Sequence, residues 1–159
     1  MLESIDALAA GDTTLAELEG LTAAEAYAIA DFGWTMLGQG RADAAAAIFE
    51  SLTISNPRHA YFFALLGSAL QKLGEIEAAL DAYGRALSID PDETGALVNR
   101  AELLLGLDTC DSDEVADLLG RSLSVDPDAT RPETRRARAL IAAIAAERLA
   151  PECENATVV

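Results

Sequence analysis

The chain has 159 residues, 51% of them hydrophobic, and its 27 acids and 11 bases give a net charge of -16. That length fits one domain, and so apolar a composition does not stay disordered. The acidic balance excludes nucleic acid and anionic lipid as partners, because most of the surface repels them.

The apolar part is dominated by helix formers. Alanine supplies 33 residues and leucine 23, while valine and isoleucine together supply 13. The strand-forming residues are therefore scarce, and an all-α fold follows. The first four residues, Met1-Leu2-Glu3-Ser4, are acidic where a secretory signal would be basic. The apolar run from Ala60 to Leu70 is broken by Gly67 and Ser68 and is too short to span a bilayer. Cys110 and Cys153 suggest no disulfide framework. These features predict a soluble cytoplasmic protein.

In chain order, Leu2 to Ala10 has a short helical pattern, Gly11-Asp12-Thr13 breaks it, and Thr14 to Leu21 forms a second apolar-acidic turn. Residues 1–25 thus read as an N-terminal helical arm. The chain then repeats itself. Gly84-Arg85-Ala86-Leu87-Ser88-Ile89-Asp90-Pro91 returns as Gly120-Arg121-Ser122-Leu123-Ser124-Val125-Asp126-Pro127. A looser copy ends at Asn56-Pro57, so the three prolines are 34 and then 36 residues apart. Within the middle copy, counted from Ala60, the apolar or small residues Phe63, Leu66, Gly67 and Leu70 share one helix face, followed by Ala79, Tyr83, Ala86 and Pro91. Gly67 and Ala79 are small where two antiparallel helices must touch, Tyr83 fills the gap to the next unit, and Pro91 ends the helix.

This period and these positions resemble the tetratricopeptide repeat. The resemblance implies three antiparallel helix pairs in a right-handed superhelix, over residues 26–59, 60–93 and 94–129. The first keeps Gly33, Ala45, Phe49 and Pro57, with Ile29 and Phe32 expected on the packed face. The third has Arg100-Ala101 where the pattern has Leu-Gly, and a longer turn from Leu107 to Ser112. Residues 131–149 read as a capping helix. Thr130 is its expected N-cap, Pro132 suits its first turn, and Ala139, Leu140, Ala143, Ile144 and Leu149 form its expected apolar stripe. Arg135, Arg136 and Arg138 are expected to face water or acidic neighbours. Residues 150–159 lack a period and are expected to be disordered.

Catalytic chemistry has few residues to use. His59 is the sole histidine, and no phosphate- or dinucleotide-binding glycine motif occurs. Asp108, Asp111, Asp113 and Glu114 lack the spacing of a calcium loop, and acids beside Cys110 raise its thiol pKa rather than activate it. The expectation is a binding protein, not an enzyme, with no cofactor and no metal.

Binding is expected on the concave side, lined by the second, fifth, ninth and twelfth places of each repeat. These are Tyr27, Ala30, Trp34 and Leu37; Tyr61, Ala64, Ser68 and Gln71; and Gly95, Val98, Glu102 and Leu105. A mainly apolar groove results, with aromatic anchors for an extended peptide. In the alternative, Tyr27 and Trp34 pack on the N-terminal helices. Repeats that clamp the acidic tail of heat-shock chaperones carry lysine, asparagine and arginine at groove places that here read Ala30, Trp34, Leu65, Gly95 and Asn99, so that clamp is missing.

A further resemblance concerns Thr14-Leu15-Ala16-Glu17-Leu18-Glu19-Gly20-Leu21-Thr22, the stretch Ala60 to Gly67, and Gln71-Lys72-Leu73-Gly74. Together with the arm, three repeats and final helix, they resemble the translocator chaperones of bacterial type III secretion, the low-calcium-response protein H family. The resemblance implies a cytoplasmic chaperone that keeps a hydrophobic translocator subunit soluble and export-competent without ATP. It also implies a homodimer through residues 2–21. A general tetratricopeptide scaffold or adaptor with another protein partner is the alternative.

Overall fold

The computed structural model describes residues 7, 8, 10, 12–107 and 112–149. Cys110, the acids Asp108 and Asp111, the tail 150–159 and most of Leu2–Ala10 lie outside them. Among the described residues the regular structure is helical: α1 (Leu15–Glu19), α2 (Ala23–Gly38), α3 (Ala42–Ser55), α4 (Ala60–Leu73), α5 (Ile76–Ile89), α6 (Thr94–Leu105), α7 (Ser112–Val125) and α8 (Pro132–Leu149).

Local chemistry sets the helix starts. Thr14 and Thr22 each open a capping box. The hydroxyl accepts the amide of the residue three ahead (Glu17 or Glu25, both 3.2 Å), and that glutamate accepts the threonine amide at 2.8 and 2.9 Å. Gly40 and Gly74 adopt φ of 79° and 80° in the turns within the first two pairs, a left-handed conformation that other residues enter at a cost.

The period has a repeated hydrogen-bond signature. Before each proline, the amides of Asn56, Asp90 and Asp126 close the preceding helix on Leu52, Ala86 and Ser122. Their carbonyls then accept from His59, Glu93 and Ala129, three residues on. Proline ends each helix because it has no amide to donate and restricts the residue before it.

Successive helices pack pairwise, and α2, α4, α6 and α8 also contact their neighbours side by side, forming one layer. Here α8 occupies the place of a fourth leading helix. The core consists of three linked clusters: Phe49, Leu52, Phe62 and Leu65 between the first two pairs; Ala79, Tyr83, Ala86 and Leu103 in the middle; and Leu97, Val98, Val115, Leu119 and Ala137 at the C-terminal end. The two small glycines serve a closer contact than helix against helix. A Cβ on Gly33 would meet the Phe49 ring at 2.6 Å, and one on Gly67 would meet the Tyr83 ring at 2.6 Å. Each glycine is thus a seat for the aromatic of its own pair. Tyr83, fully buried, also donates its hydroxyl to Gln71 at 2.8 Å, and burial pushes its pKa up to about 12.

The third repeat departs from the pattern without losing its packing. Arg100 stands where leucine was expected. Its guanidinium pairs with Glu114 at 2.8 and 2.9 Å and donates to the Leu80 carbonyl at 3.0 Å, tying α5, α6 and α7 together.

Three expectations are corrected. Ile29 is 38% exposed and Phe32 58% exposed, not packed. The place of Phe32 is taken in the next repeat by Leu66, which packs on the cluster holding Phe49 and Leu52 of the preceding second helix, whereas before the first repeat the described residues hold only the five-residue α1. On α8, Ala139 and Ala143 are exposed; the packed face is Thr134, Ala137, Leu140 and Ile144. Thr130 does not cap α8 by its hydroxyl, which donates to Asp126 at 3.0 Å. Asp126 itself accepts the Arg131 amide at 2.9 Å and the Thr134 hydroxyl.

Candidate functional site

The layer of leading helices encloses a groove of about 560 Å³, lined by Asp31, Trp34, Tyr61, Ala64, Leu65, Ser68, Glu93, Thr94, Gly95, Asn99 and the start of α8. Of the residues expected there, Trp34, Tyr61, Ala64, Ser68 and Gly95 line it. Trp34 is 55% exposed, so its indole offers an open face to the groove. Ala64 contributes little surface because it is almost wholly buried.

The other expected residues lie elsewhere. Ala30 and Val98 share the fifth place with Ala64 and are core residues. Neighbouring leading helices pack side by side, and the fifth place falls under that contact. Leu37 packs on the first core cluster. Gln71 is engaged by the Tyr83 hydroxyl. Tyr27 turns toward the next repeat: its hydroxyl lies 2.9 Å from His59 Nε2, and its ring stands edge-on to His59 and Phe62 at 5.4 and 5.8 Å. His59 stacks on Phe62 at 4.2 Å, and burial holds its pKa below the usual histidine value. These rings wall a second, shallower depression of about 440 Å³ that shares Tyr61, Glu93, Thr94 and Arg131 with the groove.

Sequence reasoning missed two sets of lining residues. The sixth place of each repeat, Asp31, Leu65 and Asn99, lines the groove; the sequence pattern names Leu65 and Asn99 only as places of the missing carboxylate clamp and not as binding residues, and it does not name Asp31. The sixth place is a rotation of one residue from the place expected, and the unbroken presence of small or apolar residues at the fifth place (Ala30, Ala64, Val98) was its available signal. The second set is Arg131, Pro132, Glu133 and Arg136 on α8. Arg136 donates to Asn99 at 2.8 Å and Glu102 at 3.1 Å, and Arg131 to Thr94 at 3.1 Å, so the helix is latched along the groove edge. The groove is therefore not mainly apolar: Trp34, Tyr61, Ala64 and Leu65 supply its aromatic and apolar part, and Asp31 on α2, Glu93 ahead of α6 and Arg131, Glu133 and Arg136 at the start of α8 bring charge to it.

The electrostatics centre on Tyr61. Its pKa is raised by burial first, and then by the carboxylates of Asp31, Glu93 and Glu133. Glu93 accepts the Ala96 amide as the N-cap of α6, yet burial, the larger effect, pushes its pKa up. Among the described residues no cluster of histidine, cysteine, aspartate and glutamate is arranged to hold a metal ion. No described helix is long and apolar enough to cross a membrane.

A tetratricopeptide-repeat family model matches residues 30–94 and 64–107. No curated protein sequence matches the chain. Among solved structures, a type III secretion complex from Aeromonas hydrophila is similar with a TM-score of 0.74 and 23% identity, over 92% of this chain and 97% of that one. The type III secretion translocator chaperone SycD of Yersinia enterocolitica gives 0.68 and 21%, over 82% and 97%. PcrH, solved with the chaperone binding region of PopD, gives 0.66 and 26%, over 81% and 97%. With its period, its paired helices and these likenesses, the chain is a tetratricopeptide-repeat protein with the fold of the type III secretion translocator chaperones.

Proposed function

We propose that this chain is a bacterial cytoplasmic chaperone of type III secretion, which binds an extended apolar segment of a translocator subunit in its concave groove. The observation that carries the reading is the groove itself. Trp34 and Tyr61 present exposed rings over Ala64 and Leu65, in a fold similar to that of PcrH, which was solved with the chaperone binding region of PopD. Aromatic rings beside small residues make pockets for apolar anchors, and rigid rings lose little entropy on binding. The chain acts by binding, not catalysis. Shielding an apolar client needs no ATP, and the acidic exterior keeps the complex in solution. The N-terminal arm, with Leu18, Ile29 and Phe32 exposed beside it, is the face for a second copy.

Co-expression with a type III translocator subunit from the same bacterium tests the reading. A soluble complex is expected, and Tyr61→Ala should weaken it by about tenfold or more. Ala64→Glu is a poor test, because Ala64 is only 5% exposed and a buried charge would damage the fold itself. A complex indifferent to both Tyr61→Ala and Trp34→Ala overturns the groove reading. Binding of an unrelated protein in its place favours a general scaffold.

A further inference from the structure

The groove carries acidic side chains from three separate elements that the chain does not fully pair, and the bearing of that charge on client choice rests on the chaperone reading. Asp31 on α2, Glu93 ahead of α6 and Glu133 in the first turn of α8 all line the groove. All three share this groove with Tyr61, and each makes its phenol harder to deprotonate, so their negative charge is felt at that ring. The guanidiniums nearby are largely committed. Arg136 is shared between Glu102 and Asn99, and Arg131 donates to the Thr94 hydroxyl. Among the described residues, neither Asp31 nor Glu133 has a side-chain hydrogen bond or ion pair. Three carboxylates thus face one guanidinium that has no carboxylate partner of its own within ion-pair distance among the described residues.

A wholly apolar segment laid in this groove would strip water from Asp31 and Glu133 and give nothing back, which is costly for a carboxylate. An acidic segment would add repulsion. A cationic side chain restores the lost hydrogen bonds, and beside the open faces of Trp34 and Tyr61 it also gains attraction to the ring electrons. We propose that the groove selects a client segment with a lysine or arginine among its apolar anchors, the cation being held by Asp31 and Glu133 against Tyr61 and Trp34. Apolar anchors supply the bulk of the binding, and the acidic side chains set which segment is chosen and in which register.

Trp34 is the only tryptophan, so its emission reports groove occupancy directly. The probes are short overlapping peptides covering the type III translocator subunit that co-expresses with this chain as a soluble complex, titrated into the full-length protein with calorimetry in parallel. The tightest-binding peptide is expected to contain lysine or arginine. Replacing that residue by norleucine should weaken binding by about tenfold. On the Asp31→Asn, Glu133→Gln double variant, checked for native helicity, the same replacement should change binding by less than about twofold. A tightest peptide without a cation, or a norleucine replacement that costs less than about twofold on the unaltered protein, overturns the proposal while leaving the chaperone reading intact. If no peptide binds at all, both fall together.

Discussion

Ile29, Phe63 and Leu97 occupy the same place in three successive repeats, and their exposure falls from 38% through half-buried to zero. The neighbouring place behaves likewise: Phe32 is 58% exposed, Leu66 is half-buried, and Arg100 is tied down by Glu114 and Leu80. The sequence period is the same at each position; what changes is how much neighbouring helix lies against it, and the first repeat has the least. At the C-terminal end the stack finishes under the eighteen-residue α8, whereas at the N-terminal end the five-residue α1 covers little. Among the described residues the array thus has one end closed by α8 and one end left apolar, which suits assembly at the open end and client binding beside the closed one.

Removing α8 is the most drastic way to break this asymmetry. Ala137 is fully buried, and Leu140 and Ile144 pack half-buried on the cluster of Leu97, Val115 and Leu119. Their loss costs on the order of 4 kcal/mol in apolar burial, against a total domain stability of about 5–15 kcal/mol. The Asp126, Arg131 and Arg136 contacts go with them. A chain ending at Thr130 is expected to aggregate or to lose its cooperative thermal transition. A cooperative transition close to that of the full chain would mean that the third repeat closes itself.

Alanine at equivalent places gives a finer contrast. Leu97→Ala should cost about 2–5 kcal/mol, as for a fully buried leucine, while Ile29→Ala should cost less than about 1 kcal/mol. Urea denaturation of the two variants measures both. If Ile29→Ala proves as costly as Leu97→Ala, and its midpoint depends on protein concentration, a second copy covers the open end.

What was legible in the sequence was whatever the backbone itself demands. The Asn-Pro and Asp-Pro turns recur because a helix must end there, and Gly33 and Gly67 stand where Phe49 and Tyr83 leave no room for a Cβ. Glycine, proline and a large aromatic are visible in any sequence, so the helix pairs followed from them. The packed face of the first repeat was misread because periodicity identifies a face without saying whether anything lies against it. The groove was half-read for a related reason. Asp31, Leu65 and Asn99 differ in chemistry from one repeat to the next, so no pattern joins them. The contribution of α8 had no repeat signature at all, and its arginines looked like the polar back of a cap. Only the side-by-side packing of α6 and α8 brings Arg131, Glu133 and Arg136 to the groove edge.

The smallest expected effect concerns the latch that holds the closed end. The carboxylate of Asp126 accepts the Arg131 amide and the hydroxyls of Thr134 and Thr130, and these bonds, the Arg131 amide foremost, hold its pKa well below the usual carboxylate range. A carboxyl depressed in the folded state stabilises the fold above its unfolded pKa of about 3.9. That contribution is lost as pH falls below this value toward the folded one. Asp126→Asn keeps the shape but gives up the charge-assisted bonds to the first turn of α8. The variant should therefore melt below the unaltered chain at pH 7, and the gap between them should narrow as pH is lowered from about 4, because protonation removes from Asp126 what the substitution has already removed. Thermal melts of both proteins across that range follow the gap, and a gap that stays constant would show that the packing of Thr134, Ala137 and Leu140, not the carboxylate, fixes where α8 begins.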